Sequence, residues 1–180
     1  MSRPPLARER VLDAFEAILI DEGERAATLD ATAKAANVSK GGLLYHFGSK
    51  EELGAGLIER LNALVEVDVK TMRTAPQGPV DFYIRTSVMA DDPLDRAIIA
   101  VSRLAQAGSA AAAVALQSMR TQWADTIRPH VRDETSLDLV MLLSDGLYFN
   151  NALELNGLDS VVPTGARLDA LIALIRSATA

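Results

Sequence analysis

The stretch Thr28 to Leu53, TLDATAKAANVSKGGLLYHFGSKEEL, constrains this chain more than any other part of it. Thr28 is a natural N-cap for a short helix running to about Ala36, because a threonine hydroxyl accepts from a free N–H of the first turn. Asn37 suits the left-handed conformation that a tight turn requires. Ser39 then caps a second short helix through His46. Gly48-Ser49 interrupts it, and Ser49 with Glu52 three residues on forms a capping box that opens a long helix to about Arg73. Two short helices joined by Asn37-Val38-Ser39 make the pattern of a helix-turn-helix.

Side-chain size divides this segment into an inner and an outer face. Ala33 and Ala36 are small where two helices cross, and Val38, Leu43 and Phe47 are spaced to pack on a core. Lys40, Gly41, Gly42, Tyr45 and His46 are left outside. Each glycine costs about 1 kcal/mol relative to alanine inside a helix. The pair makes sense if something large, such as a DNA backbone or base edge, approaches closely. Tyr45 and His46 can donate to phosphate, and Tyr45 can also touch a thymine methyl. Lys50 places a cation beside the free N–H groups of the next helix, a further phosphate site. The expected DNA-contacting set is Thr28, Ser39, Lys40, Gly41, Gly42, Tyr45, His46 and Lys50.

Charge qualifies this expectation. The chain has a formal net charge of −6, but residues 1–50 carry seven Lys or Arg against seven Asp or Glu. The whole excess of acid therefore falls in residues 51–180. Phosphate contacts depend on the facing surface and not on the whole-chain sum, so a neutral reader on an acidic body can bind DNA. Arg3, Lys34, Lys40 and Lys50 are the cations placed for it.

The same segment resembles the N-terminal region of tetracycline-repressor (TetR) family regulators. The matching residues are Thr28, Ala33, Ala36, Val38, Ser39, Gly41, Leu43, His46, Phe47, Ser49, Lys50, Glu51 and Leu53. With the first helix, the likeness covers about residues 7–60, a third of the chain. Three positions depart from the family pattern: Thr32 stands where Ile or Leu is usual, Asn37 replaces the turn glycine, and Leu44 takes the place of the first tyrosine. Asp30 lies near a position that is often basic. The resemblance implies an all-α fold of about nine helices, with an N-terminal three-helix helix-turn-helix domain and a C-terminal helical ligand-binding and dimerisation domain. It implies a homodimer, a palindromic double-stranded DNA operator and a small-molecule effector as partners, and repression relieved by the effector.

The rest of the chain is also helical in spacing. Leu6-Ala7 to Ile20 reads as an amphipathic helix ended at Gly23, a natural C-terminal cap. Thr74 to Pro79 is the clearest break, and further helices are expected near 80–90, 93–107, 109–127, 134–155 and 165–178. The domain division is 1–50 for the helix-turn-helix and 51–180 for the ligand-binding and dimerisation part, connected by helix 49–73. Met119 and Trp123 lie one turn apart, and Tyr148 and Asn151 are similarly spaced on another helix. With Met89, Leu104 and Leu116 they are the candidates for an apolar effector site. Asp145 is a candidate either for a cationic effector or for a bond to a neighbouring helix. Helices 134–155 and 165–178 are apolar around too much of their circumference for one partner, as Leu139, Leu142, Leu143, Leu147, Leu153, Leu171 and Leu174 illustrate. A dimer interface is the expected reason.

Other classes find little support. No run of 18 uncharged apolar residues is present, so no membrane partner is expected. The first residues lack the apolar run of a secretory signal, and there is no cysteine, which together fit a cytoplasmic protein. No phosphate-binding glycine loop, dinucleotide fingerprint or nucleophile elbow occurs, so neither an enzyme nor a cofactor is expected. His46 and His130 are the only histidines and lie far apart in sequence, against a zinc site. Asp91-Asp92 reads as a helix-start pair. The alternative of a different class is a helical ligand-binding or adaptor protein that has lost affinity for DNA.

Overall fold

The computed structural model describes residues 4–89, 92–152 and 162–180. Arg3, Asp91, Leu153 and the expected helical turn at 153–155 lie outside these residues. Among the described residues the fold is all-α, as expected. Its helices are α1 (Pro4–Asp21), α2 (Leu29–Ala35), α3 (Lys40–His46), α4 (Lys50–Thr74), α5 (Pro79–Thr86), α6 (Pro93–Gln106), α7 (Ala110–Ile127), α8 (Glu134–Ala152) and α9 (Gly165–Thr179), with a 3₁₀ turn at Arg128–His130. No helix among the described residues is long and apolar enough to cross a membrane. The chain forms two compact units: residues up to Val65 with Pro93–Met119, and Glu66–Asp92 with Arg120–Ala180.

The first unit is built on α1. Val11, Leu12, Phe15, Ile18 and Leu19 are all buried, so the apolar spacing of the sequence is one continuous stripe. The helix stops because Gly23 takes a positive φ of 85°. The Gly23 amide then donates to the Ile18 carbonyl at 3.0 Å, closing the end as in a Schellman turn. Asn37 at φ 52° and the Val38 amide on the Ala33 carbonyl end α2 in the same way. In the first half of α4, Leu53, Leu57, Leu61 and Val65 are buried at four-residue intervals. Gly56 sits among them. A Cβ there would fall 2.9 Å from Phe47 Cε1 and 3.0 Å from Leu12 Cδ2, so the missing side chain is what lets α4 close on these residues.

A buried charge ties this unit together. Glu16 of α1 is only 5% exposed. Its Oε2 accepts from Arg60 Nη1 of α4 at 3.1 Å, and its Oε1 accepts from Arg96 Nε of α6 at 2.9 Å. Arg60 also reaches Glu9 and Asp13, each at 2.8 Å. One helix is thereby bonded to two others through a single carboxylate.

The second unit packs α5, α8 and α9 with the end of α4 around Met72, Tyr83, Ile84, Ile127, Val140, Met141 and Ile172. Helix α5 ends at Thr86, four residues short of the sequence expectation. The hydroxyls of Thr86 and Ser87 turn back to accepting carbonyls at Phe82 (3.1 Å) and Tyr83 (2.7 Å), and such local bonds compete with continued helix. The start of α8 is capped by Asp133, whose Oδ1 accepts from the Ser136 amide at 2.8 Å.

Thr32 of α2 is fully buried, and its Oγ1 has no hydrogen-bond partner. A buried hydroxyl left unpaired keeps its desolvation cost. Thr32→Val keeps the branched shape and removes that oxygen, so it is predicted to raise stability by about 1–2 kcal/mol. The urea midpoint should rise at unchanged slope; a lower midpoint would refute the account.

Candidate nucleic-acid interface

The turn between α2 and α3 is set by local bonds that the sequence announces. Thr28 Oγ1 accepts from the Ala31 amide at 3.1 Å, and Ser39 Oγ accepts from the Gly42 amide at 3.0 Å. Both expected caps are therefore occupied in holding their helices, although Thr28 and Ser39 remain exposed beside the outer face. Ala33, Ala36, Leu43 and Phe47 are buried and fix α2 and α3 on the core.

The outer face carries few large groups. Tyr45 is 83% exposed and Leu44 41% exposed. The His46 ring lies edge-on to Tyr45 with centroids 5.1 Å apart, so the two form one aromatic step at the end of α3. At Gly41 an added Cβ would meet nothing within 4 Å, whereas at Gly42 it would come within 3.2 Å of Ser39 Oγ. Packing therefore explains Gly42 in part and does not explain Gly41. Lys40, at the first turn of α3, is paired with Asp30 of α2 at 2.9 Å.

Lys50 sits differently from the sequence expectation. Its Nζ donates to the Glu24 carbonyl at 2.7 Å and pairs with Glu24 Oε1 at 2.6 Å. Its side chain is 29% exposed. The ammonium is thus drawn back onto the loop before α2. The capping box of α4 is also shifted by one residue. Ser49 Oγ accepts from the Glu52 amide at 3.2 Å as expected, but the Glu52 carboxylate takes the Gly48 amide at 2.7 Å. Arg25 and Lys34 are exposed cations near this face with no ion pair among the described residues.

Comparison with known proteins accords with this geometry. Residues 11–55 match the sequence profile of bacterial regulatory proteins of the tetR family. The match spans about a quarter of the chain, so it is the N-terminal region that is similar to that family. No curated protein matches the chain in sequence. Among solved structures, Salmonella enterica GusR is 17% identical with a TM-score of 0.67, covering 99% of this chain and 95% of that one. The multidrug binding protein EbrR, solved with imidazole, is 16% identical with a TM-score of 0.64 over 96% of this chain and 94% of its own. The ketosteroid transcriptional regulator KstR2 of Mycobacterium tuberculosis is 19% identical with a TM-score of 0.59 over 96% and 94%. At these identities the likeness is one of fold. The matched residues 11–55 include α2, the turn and α3, the segment that carries the outer face described above.

The residues expected to line an effector site fall in both units. In the first, Leu104 and Met119 are buried and Leu116 is half-buried. In the second, Trp123, Tyr148 and Asn151 are half-buried and Met89 is 53% exposed. The indole Nε1 of Trp123 donates to Asp68 Oδ2 at 2.8 Å, and its ring lies 5.4 Å from that of Tyr83. Asn151 Nδ2 donates to the Met89 carbonyl at 2.9 Å. Asp145 pairs with Arg120, so of its two expected roles the interhelical bond is the one present.

Two polar groups escaped the sequence reading. Asp68 sits three residues after buried Val65 and four before buried Met72, on the apolar stripe of α4. Burial raises its carboxyl above the ordinary range, and the Trp123 hydrogen bond offsets only part of that rise. Beside it, burial pushes the Tyr83 phenol up even though Ser144 bonds it. Glu16 was missed for the same reason: it follows Leu12 at i+4 and occupies a core position. A charged residue in register with an apolar stripe is the signal that identifies both.

Proposed function

We propose that this chain is a DNA-binding transcriptional regulator of the tetR type, a homodimeric repressor that sets α3 in the major groove and leaves its operator when an apolar effector binds the second unit. The observation that carries the reading is the outer face of α3: an open glycine, an exposed Tyr45 with His46 edge-on to it and a cation at the first turn, all on a helix held by the occupied Ser39 cap. Lys40 and Tyr45 contact base edges or nearby phosphates. Arg25 and Lys34 supply phosphate contacts, and Lys50 acts through Glu24 by holding the loop that precedes α2. The functional division is a DNA reader over residues 1–50 and an effector and pairing part over 51–180.

The dimer is supported by apolar surface that one chain leaves open. Leu139, Leu142 and Phe149 form an exposed stripe on α8, and Leu174 is 64% exposed on α9. A groove of about 380 Å³ lined by Leu142, Leu143, Leu147 and Val162 lies alongside. A second copy related by a two-fold axis covers both, and two α3 helices then meet half-sites about 34–36 Å apart on a palindromic operator. The effector site is supported by Trp123, whose half-buried indole packs near Tyr83 and donates to the half-buried carboxyl of Asp68. An effector that binds one state better than the other shifts the equilibrium between them.

Three outcomes follow. Gly41→Ala should stabilise the protein by about 1 kcal/mol, since alanine is the better helix former and the site is open. It should nevertheless weaken DNA binding about tenfold or more, which anisotropy titration beside thermal melting would measure. Unchanged DNA affinity would mean that nothing approaches α3 closely. Leu142→Glu with Leu174→Glu should give a folded monomer in sedimentation at micromolar concentration, because both side chains are exposed in the single chain; a dimer of undiminished stability would place the interface elsewhere. Finally, an inducing compound should change Trp123 fluorescence with the midpoint of DNA release. In Trp123→Phe, inducer-driven release of labelled DNA, read by anisotropy, should be abolished while DNA binding persists, and normal release in that variant would remove Trp123 from the effector site.

A further inference from the structure

We propose that Asp30 is a selectivity residue, which holds Lys40 against DNA that offers only phosphates and shares it with a base edge at the operator. The inference rests on the reading that α3 enters the major groove. Lys40 Nζ lies 2.9 Å from Asp30 Oδ1 and 3.2 Å from Oδ2, so the ammonium straddles both oxygens. The two side chains are 57% and 73% exposed. Neither is needed to fill the core, and the pair stands on the outer surface where α2 and α3 begin.

A carboxylate on a face that meets DNA is repelled by phosphates. It is held there because Asp30 lies in the first turn of α2, where helix N–H groups favour negative charge. Its pairing makes a locally neutral spot on the helix that also carries Tyr45 and His46. To bond a phosphate, Lys40 must either release Asp30, which is then left facing the backbone, or hold two mutually repelling anions about one ammonium. One counterion-releasing contact is lost from non-specific binding, which consists of such contacts. At a guanine the balance differs. An ammonium has three donors, so Lys40 can bond O6 and N7 and keep one bond to Asp30. The residue thus acts against the wrong partner more than it acts for the right one.

Asp30→Asn preserves size and removes the charge, and the site is exposed, so folding is retained. The measurement is fluorescence anisotropy at several salt concentrations. One duplex is selected from a random pool by the wild-type protein, and the other is a scrambled duplex of the same composition. For the scrambled duplex, Asp30→Asn should tighten binding about five- to tenfold at 0.1 M salt and steepen the log–log salt slope by about 0.9. For the selected duplex the gain should be about twofold or less, so the ratio of the two affinities falls. In a Lys40→Met background, Asp30→Asn should change both duplexes by the same factor. An unchanged slope and affinity on the scrambled duplex, or equal tightening on both in the Lys40 protein, would overturn the assignment. If the wild type enriches no duplex from the pool, the groove reading itself fails and the assignment falls with it.

Discussion

The first compact unit depends on one buried carboxylate. Glu16 is taken out of water with both of its oxygens committed to arginines from other helices. Burying an ion is costly unless its partners are close and its remaining lone pairs are satisfied. Here Arg60 and Arg96 meet that condition, and Arg60 is itself flanked by Glu9 and Asp13. An arrangement of this kind tolerates little sliding: shifting α1 along α4 or α6 by one residue would leave a charge unpaired in the interior. The caps and turn of the helix-turn-helix stand on that frame, so the placement of α3 depends on a contact outside its own segment.

Much of the reader is legible in the sequence because its determinants are local. Thr28, Ser39 and Asn37 act on backbone atoms within five residues of themselves, and hydroxyl caps and a left-handed asparagine declare themselves by residue type. Helix existence and the buried faces follow from apolar spacing for the same reason. What was not legible is what depends on partners distant along the chain. Glu16 and Asp68 look like interruptions of an apolar stripe until Arg60, Arg96 and Trp123 are seen opposite them. Gly56 looks like a poor helix residue until Phe47 and Leu12 occupy its missing Cβ. Lys50 reads as a phosphate donor from its place at a helix start, and its contact with Glu24, 26 positions earlier, is not visible from that place. The length of α5 was overestimated because two adjacent hydroxyls fold back on their own turn.

The charge pattern acquires a purpose in this light. The first 50 residues have no net charge, and the cations best placed for DNA are divided between paired and unpaired groups. Attraction to any polyanion is therefore modest. What remains distinctive is shape and chemistry on one short helix: an open glycine, an aromatic pair and a lysine held in check. In a chain with net charge −6, such a surface favours recognition over indiscriminate binding.

The central claim is that DNA meets the outer face of α2 and α3. Amide hydrogen exchange of the full chain, with and without the duplex it selects, tests that claim most directly. The account predicts added protection concentrated in peptides spanning residues 28–53, strongest over 39–46, with little direct change in α8 and α9. Protection by DNA that leaves residues 28–53 unaltered and appears elsewhere would contradict it.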